Sequence, residues 1–242
     1  MLKGKVAVVT GASKGIGRAT VLRLAGDGVK MVIGSTSREL LESVGREAEE
    51  AGTEVVARCC DVTRQADCEA LADAAKIRFG KIDILINNAG IGYSGKVVDL
   101  APEDAEKMVR VNILGVFFMT NAVLPEMIAR NRGDIVNIGS VAGLKYSPAF
   151  ALYSATKFAV RAFSEGLRNE VQEHNIRVTT VHPGMVATNF FDSFSRGGIS
   201  LPTGKGDLLK PEDVAESILF ALTRPRSVAL NELTVRPYWQ ER

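Results

Sequence analysis

The stretch Lys5-Val6-Ala7-Val8-Val9-Thr10-Gly11-Ala12-Ser13-Lys14-Gly15-Ile16-Gly17 decides the fold of this chain. It begins with an apolar, valine-rich run that favours a strand, and apolar residues at helical spacing follow from Gly17 to Ala25. Between them, glycines permit a tight turn and let the backbone approach a phosphate at a helix N-terminus, where free amides attract anions. The stretch therefore predicts a strand, a nucleotide-binding turn and a helix, although its Gly-x-x-x-Gly-x-Gly spacing differs from the usual Gly-x-Gly-x-x-Gly.

The next segment completes a βαβ unit and bears on the choice of cofactor. A second strand is predicted from Val29 to Gly34 and a helix from Arg38 to Ala51. NAD-binding folds place an acid at the tip of this strand, whereas NADP-binding folds avoid it and offer cations to the 2′-phosphate. The tip here is Ser35-Thr36-Ser37-Arg38, which has no acid, and Lys14 projects from the glycine turn. We expect NADP(H), although Lys14 and Arg38 could also be ordinary solvated surface charges.

Strands and helices alternate along the rest of the chain. Further strands are predicted at Glu54 to Cys59, Ile82 to Ile86, Asp134 to Ile138, Ile176 to Val181 and Ser227 to Val235, and further helices at Arg64 to Phe79, Pro102 to Arg130, Phe150 to His174 and Glu212 to Thr223. This order predicts an α/β fold with a doubly wound parallel sheet of about seven strands and helices on both faces. We expect residues 1–242 to form a single domain.

Composition narrows the class of function. The 242 residues are 46% hydrophobic, and 30 basic and 28 acidic residues leave a net charge of +2, with no stripe that indicates nucleic acid or an anionic membrane as a partner. The three cysteines lack Cys-x-x-Cys spacing and only two histidines are present, so we expect neither a metal site nor a disulfide framework. No stretch approaches the ~20 apolar residues of a membrane span, and no signal peptide is recognised. A cytoplasmic protein that binds a small molecule is expected.

Polar residues follow several of the predicted strands, at the edge where doubly wound sheets bind ligands. Asp61 could meet the amine of a base or, together with Thr63, cap the next helix. The run Asn87-Asn88-Ala89-Gly90 could be simple turn chemistry or could tie adjacent strands together under a cofactor. Ser140 lies where chemistry would occur.

Two further features concern proton transfer. Asn112 lies among apolar residues of a predicted helix, where it is either a satisfied core amide or the cause of a local distortion that anchors water. Tyr153 and Lys157 share one face of another helix, and an ammonium beside the phenol is expected to lower the pKa of Tyr153 toward a range useful for acid/base catalysis. His182 is expected to be a structural turn residue, and His174 an exposed helix end.

The segment from 184 to 210 shows no convincing periodicity between Ala187 and Lys210. It contains loop glycines and the apolar residues Phe190, Phe191 and Phe194. This composition is typical of a mobile lid over a substrate. An ordinary surface loop with a small apolar plug is the alternative.

With these sites placed, the chain resembles the short-chain dehydrogenase/reductase family of Rossmann-fold oxidoreductases over nearly its whole length. The resemblance rests on the joint order and spacing of the Thr10 to Gly17 turn, Asn87-Asn88-Ala89-Gly90, Asn112, Ser140, Tyr153 with Lys157, and Pro183-Gly184 before Thr188. The tip Val32 to Ser37 is similar to that of 3-oxoacyl-carrier-protein reductases, whereas Pro211 to Ala215 and Leu230 to Pro237 are similar to the 3-hydroxy acid and serine 3-dehydrogenase branch. The substrate therefore stays open.

The resemblance implies a role for each matched residue. Tyr153 would be the general acid or base, Lys157 would lower its pKa and hold the nicotinamide ribose, Ser140 would polarise the substrate oxygen, and Asn112 would hold a water in the proton path. The residues implied to bind NADP(H) are Gly11, Ser13, Lys14, Gly15, Ile16, Gly17, Ser35, Thr36, Ser37, Arg38, Asp61, Val62, Asn88, Ala89, Gly90, Tyr153, Lys157, Pro183, Gly184, Val186 and Thr188. A carbonyl or alcohol substrate and a homotetramer or homodimer are implied. A non-catalytic dinucleotide sensor on the same fold is the alternative function.

Overall fold

In the part of the chain that the structure describes, seven strands form the sheet, and their bounds follow the apolar runs of the sequence. They are β1 (Val6–Thr10), β2 (Lys30–Ser35), β3 (Val55–Cys59), β4 (Ile84–Asn87), β5 (Gly133–Ile138), β6 (Ile176–Pro183) and β7 (Glu232–Val235). The computed structural model describes residues 2–146, 148–190 and 206–240. The middle of the expected lid, residues 191–205 with Phe191 and Phe194, lies outside them.

Seven α-helices connect the strands in the described part of the chain. They are α1 (Gly15–Gly26), α2 (Arg38–Glu50), α3 (Gln65–Phe79), α4 (Pro102–Val109), α5 (Gly115–Ala129), α6 (Ala151–Val171) and α7 (Pro211–Leu222). A π-helical turn, Arg110–Leu114, joins α4 to α5, and 3-10 turns lie at Val141–Gly143 and Gln172–His174.

All seven strands are parallel, in the order β3-β2-β1-β4-β5-β6-β7. The chain leaves β1 toward β2 on one side and returns to β4 on the other, so a crevice opens where the order reverses. This doubly wound parallel sheet confirms the expected fold class.

Strand β1 shows how both faces of the sheet become core. Ala7 and Val9 belong to an apolar cluster with α1, α2 and α7, whereas Val6 and Val8 belong to a second cluster with α3, α5 and α6. All four side chains are buried, because alternate residues of a strand point to opposite faces. The unbroken apolar run reflects this double covering.

Several predicted elements differ from the observed ones, and two of these differences have a clear local cause. The last strand begins at Glu232 rather than Ser227, because the N–H of Val228 donates to the carbonyl of Pro225 and closes a turn there. The long helix from Pro102 is interrupted by the π-helical turn around Asn112. The expected helix distortion at Asn112 is thus present.

The run Pro102–Ala129 also corrects the expectation that no segment reaches the length of a membrane span. By length and composition alone, this run is long and apolar enough to cross a membrane, and 39% of its apolar 18-residue part is buried in the fold. Met108, Met119, Val123 and Met127 are buried in the fold. Core helices of soluble proteins are commonly as long and as apolar as this run, so it is weak evidence for a membrane span.

The N-terminal edge of the sheet is held by a buried carboxylate. Asp83, 3% exposed, lies within 3.3 Å of Lys5, 2.9 Å of Lys81 and 3.0 Å of Arg130, and it accepts the Val6 N–H at 3.0 Å. Burial opposes its ionisation, but these hydrogen bonds and charges outweigh it and lower the pKa of Asp83 to about 2. The cluster joins β1, β4 and the end of α5 on the side opposite the crevice.

Candidate active site

A cavity of about 1240 Å³ lies at the C-terminal ends of the central strands. It brings together most of the residues proposed from the sequence. Those that line it are Gly11, Ser13, Lys14, Gly15, Ile16, Ser35, Thr36, Ser37, Asp61, Val62, Asn88, Ala89, Gly90, Ser140, Tyr153, Lys157, Pro183, Gly184, Val186 and Thr188. Gly17, Arg38 and Asn112 are not among the lining residues.

The glycine turn packs tightly beneath one end of the cavity. Gly11 has a φ of +63°, and a Cβ on Gly17 would lie 2.2 Å from the carbonyl oxygen of Gly11, so neither position has room for another residue. Lys14, the residue before α1, gives that helix no side-chain cap. The first amides of α1 are therefore available to an anion in the cavity.

Asn88 and Thr10 tie β1 to β4 below this turn. The Asn88 amide donates to the carbonyls of Thr10 and Gly11, both at 3.0 Å. In return, the Thr10 hydroxyl accepts the backbone N–H groups of Asn88 and Ala89, both at 3.1 Å. Of the two alternatives for this run, strand tying is the one observed.

The tip of β2 presents hydroxyls. The Ser35 hydroxyl donates to that of Ser13 at 2.8 Å and accepts the Ser37 N–H at 3.2 Å, which links the tip to the glycine turn. Arg38 is the exposed first residue of α2 and lies off the cavity, whereas Lys14 lines it. The two cations proposed to hold a phosphate are thus not equivalent.

Asp61 closes a turn of its own rather than capping α3. Its carboxylate accepts the N–H of Thr63 at 2.9 Å and the Thr63 hydroxyl at 2.8 Å, and Arg64 is the residue that precedes the helix. The capping alternative is therefore wrong, because the chain makes one more turn before α3 begins. Asp61 faces the cavity from this turn.

Asn112 is a fully hydrogen-bonded amide behind the cavity. It is 1% exposed, exchanges two hydrogen bonds with the backbone of Ile91 at 2.9 and 2.8 Å, and donates to the Thr156 hydroxyl at 3.0 Å. Both its Oδ1 and the Nζ of Lys157 lie within 3.6 Å of the point where a Cβ on Gly90 would sit. The amide is thus both satisfied and close to the lysine.

Ser140, Tyr153 and Lys157 converge at the other end of the cavity. The Tyr153 hydroxyl hydrogen-bonds to the Ser140 side chain, whose oxygen also accepts the Ala142 N–H at 3.1 Å. Lys157 donates to the Ile138 carbonyl at 2.9 Å, and its Nζ lies 5.9 Å from the centroid of the Tyr153 ring. All three residues are buried.

Burial sets the protonation of this group. It raises the pKa of Tyr153 to about 12, against the opposing effect of the Ser140 hydrogen bond, and lowers the pKa of Lys157 to about 8. The expectation that Lys157 lowers the pKa of Tyr153 is therefore wrong for this arrangement. The ammonium donates to a backbone carbonyl instead, and loss of solvent dominates.

His182 also departs from its expected role. It is fully buried inside β6 rather than in the turn after it, with Nδ1 3.1 Å from the Ser140 carbonyl oxygen. Sequence reasoning placed it outside the sheet because Pro183 and Gly184 follow. The strand in fact continues through Pro183, whose missing N–H leaves its carbonyl and its register with β7 intact.

The C-terminal segment was missed by sequence reasoning. Gln240 lines the cavity and accepts the Met185 N–H at 3.0 Å, and the Trp239 indole donates to the Asp207 carbonyl at 2.9 Å. Residues 185–187 and 209 also pair with each other. Both described ends of the expected lid are thus anchored, and no sequence motif marks the residues that do it.

Apolar side chains surround the Tyr153 ring. The ring of Phe190 lies 5.9 Å from it, and Tyr93 and Phe150 pack into the same cluster. Of these residues, only Phe190 was singled out from the sequence, as an apolar residue of the segment after β6. Tyr93 and Phe150 were not, because they lie in irregular segments.

Comparison with known proteins agrees with this geometry. The family model described as short chain dehydrogenase matches residues 5–197. An uncharacterised oxidoreductase of Staphylococcus aureus is 37% identical over 237 residues, which cover 98% of this chain and 99% of the relative.

Two solved structures of related proteins carry different cofactors. A serine dehydrogenase in its closed form with NADP+ is 33% identical, with a TM-score of 0.91 over 98% of this chain and 96% of that one. A 3-ketoacyl-(acyl-carrier-protein) reductase from Brucella melitensis with NADH is 34% identical, with a TM-score of 0.88 over 97% of this chain and 98% of that one.

Proposed function

Because the chain belongs to the short-chain dehydrogenase family, we propose that it is an NADP(H)-dependent oxidoreductase acting on a carbonyl or secondary alcohol. The observation that carries the proposal is the buried set of Ser140, Tyr153 and Lys157 at one end of a cavity whose other end is a glycine turn. The non-catalytic alternative gains no support from the comparisons, whose named members are oxidoreductases.

The residues present fit a dinucleotide. The uncapped start of α1 offers amides to a pyrophosphate, and the tip of β2 offers the exposed hydroxyls of Thr36 and Ser37 and no carboxylate to the adenosine ribose. Lys14 lines the cavity beside that tip and would bind a 2′-phosphate. Asp61 and Val62 would flank the adenine, and Thr188 and Val186 the nicotinamide. When bound, the cofactor supplies or accepts hydride.

The chain's own residues would handle the proton. With its pKa raised to about 12, Tyr153 is a protonated phenol at neutral pH, and so can donate to a carbonyl oxygen in reduction. The Ser140 hydroxyl, hydrogen-bonded to that phenol, would hold the same oxygen. Lys157, with a pKa of about 8, would exchange a proton with a water held beside Asn112, whose Oδ1 lies near Gly90 as the lysine Nζ does.

The first test is Tyr153→Phe. We expect the variant to fold and bind NADPH, but to lose at least ~10²-fold in kcat, the usual scale for removing a general acid. Purified wild type and variant would be assayed with NADP(H) on a panel of ketones, 3-oxoacyl thioesters and 3-hydroxy acids, and NADPH binding would be followed by fluorescence. Near-normal turnover by the variant would refute the role of Tyr153.

The second test concerns the cofactor. If Lys14 binds the 2′-phosphate, Lys14→Ala should weaken NADPH binding by about tenfold and leave NADH binding nearly unchanged, with a larger loss at low salt than at high salt. Arg38→Ala is the matched control, because that residue lies off the cavity, and it should cost less. Equal affinities of the wild type for NADPH and NADH would contradict the assignment.

The substrate, assembly and location stay predictions. The aromatic side chains around Tyr153 favour a substrate with an apolar portion, and the screen above distinguishes the thioester from the hydroxy acid branch. We predict a homotetramer or homodimer in the cytoplasm, with the expected lid at 184–210 closing over the substrate. Size-exclusion chromatography with light scattering would measure the assembly.

A further inference from the structure

The imidazole of His182 lies against the backbone that carries Ser140. Its Nδ1 is 3.1 Å from the Ser140 carbonyl oxygen, and a Cβ on Gly139 would lie only 2.7 Å from that nitrogen. A carbonyl oxygen can only accept a hydrogen bond, so Nδ1 must carry the proton in this contact. His182 is fully buried and does not line the cavity as the described residues define it.

This contact continues the sheet by one step where its backbone pairing stops. The last paired residues of β5 and β6 are Ile138 and Val181, and the Gly139 N–H donates to the Val181 carbonyl at 2.7 Å. One residue later, the Ser140 carbonyl accepts the Gly143 N–H of its own turn at 2.8 Å and the imidazole of β6. Of these two donors, His182 is the one that fastens the turn to the neighbouring strand.

The other ring nitrogen is left without a hydrogen-bond partner among the described residues. Its nearest charged neighbour is Glu232 on β7, with Oε1 at 3.8 Å, and Arg161 of α6 donates to that same oxygen at 2.7 Å. Arg161 and Lys157 face the ring from α6. Burial first, then these two cations, lower the pKa of His182, against the Ser140 carbonyl and Glu232, so the ring is neutral at physiological pH.

A neutral imidazole has one proton, and two acceptors compete for it here. The Ser140 carbonyl is at hydrogen-bond distance and the Glu232 carboxylate is not, so the geometry selects the Nδ1–H tautomer. The single proton of the ring therefore serves the contact with Ser140.

We propose that His182 is a positioning residue, which holds the Ser140 carbonyl as the Nδ1–H tautomer and thereby fixes the Ser140 hydroxyl toward Tyr153. The inference rests on the proposed function, since it matters to catalysis only if that hydroxyl holds the substrate oxygen. No contact between His182 and substrate is involved.

Substituting His182 by asparagine and by glutamine distinguishes a role in positioning Ser140 from a role in packing alone. Asparagine places its amide N–H near the position of Nδ1, whereas glutamine places it near Nε2. We expect His182→Gln to lower kcat by about tenfold or more, as a misplaced catalytic group does, with NADPH affinity within about twofold of wild type. His182→Asn should recover most of that loss. His174→Asn, in the 3-10 turn where that side chain is partly exposed, is the control and should change nothing. Equal losses in both His182 variants, or no loss in either, would overturn the proposal.

A measurement on the wild type does not depend on the variants folding. The chain has two histidines, so long-range 15N–1H spectra of the imidazoles are simple to assign with the His174 variant. The proposal requires His182 to be protonated at Nδ1 and bare at Nε2 in its neutral form. An Nε2–H tautomer would overturn it.

A third readout distinguishes failure of this inference from failure of the proposed function. The 13Cζ resonance of Tyr153, assigned with the Tyr153→Phe variant, reports its hydrogen bond to Ser140 without any turnover. His182→Gln should shift it in the same direction as Ser140→Ala, and His182→Asn should shift it less. These outcomes support the positioning role even if no carbonyl on the panel reacts, and an unmoved resonance in His182→Gln contradicts it.

Discussion

The two edges of the central sheet bury charge in opposite ways. At the N-terminal ends of the strands, Asp83 is surrounded by Lys5, Lys81 and Arg130, and its pKa is lowered, which favours the ionised carboxylate. At the C-terminal ends, Lys157 is buried and donates to the Ile138 carbonyl, and its pKa is lowered, which favours the neutral amine. The first arrangement stabilises the fold. The second costs stability but provides a proton donor whose pKa lies close to neutral pH. Parallel strands separate these demands, because ligands bind only at their C-terminal ends.

The largest stability effect should come from breaking the N-terminal edge. Asp83→Asn removes the charge that three cations surround, and we expect the free energy of unfolding to fall by roughly 2 to 3 kcal/mol, the scale implied by a carboxyl pKa near 2 in the fold. The melting temperature should fall by roughly 5–10 °C while kcat at 25 °C stays unchanged. Thermal unfolding and a steady-state assay would measure both.

The pH dependence of stability tests whether the ionised carboxylate of Asp83 is the source of that loss. Because the pKa of Asp83 is depressed, its contribution is present above the unfolded value near ~3.9 and is lost as pH falls toward 2. Wild type and Asp83→Asn should therefore differ in stability at neutral pH and converge in acid. Glu54→Gln, which alters an exposed pair with Lys30 and Arg78, is the control and should change stability far less. A constant difference down to pH 2 would exclude the ionic explanation.

The next effect should come from the C-terminal edge and have the opposite sign. Lys157→Met removes a buried ammonium whose lowered pKa corresponds to about 3 kcal/mol, and leaves the Ile138 carbonyl without its donor at a cost of about 1 kcal/mol. The variant should be more stable at pH 7 by about 2 kcal/mol and lose activity. Chemical denaturation would measure the gain, and Lys96→Met, at an exposed loop position, is the control.

The sign of the Lys157 effect also depends on pH. A lysine with a folded pKa of about 8 binds fewer protons in the fold than in the unfolded chain, so wild-type stability should rise as pH increases from 8 to about 10.5. The advantage of Lys157→Met should shrink over that window. An advantage that grows with pH would mean that burial of the ammonium is not its source.

The smallest effect concerns His182. Since burial lowers its pKa below the ordinary value near ~6.5, the unfolded chain binds the extra proton more readily and wild type should lose stability as pH falls below that value. His182→Asn does not titrate and should show a shallower decline. Melting temperatures between pH 7 and 5 would show the difference, and parallel curves would contradict it.

The sequence was sufficient for the sheet because the periodic signals are local. The run Lys5 to Thr10 and the glycine turn after it carry their own strand, turn and helix preferences, and each later strand repeats an apolar run covered on both faces. The alternation of strands and helices then predicts parallel strands with right-handed crossovers, whereas the strand order β3-β2-β1-β4-β5-β6-β7 comes from the structure. The local pattern placed Ser140 at a strand end and Tyr153 and Lys157 on one helix face, and the resemblance to the short-chain dehydrogenase/reductase family joined them into one site.

Only the tertiary structure decided how those side chains are partnered. Whether Lys157 lowers or fails to lower the pKa of Tyr153 depends on which acceptor its ammonium reaches, and that acceptor is the Ile138 carbonyl on another element. The contact of His182 with Ser140, and that of Gln240 with Met185, join residues 42 and 55 positions apart. Hydrogen bonding and desolvation depend on distances of a few ångströms between such elements, and a one-dimensional pattern does not contain them.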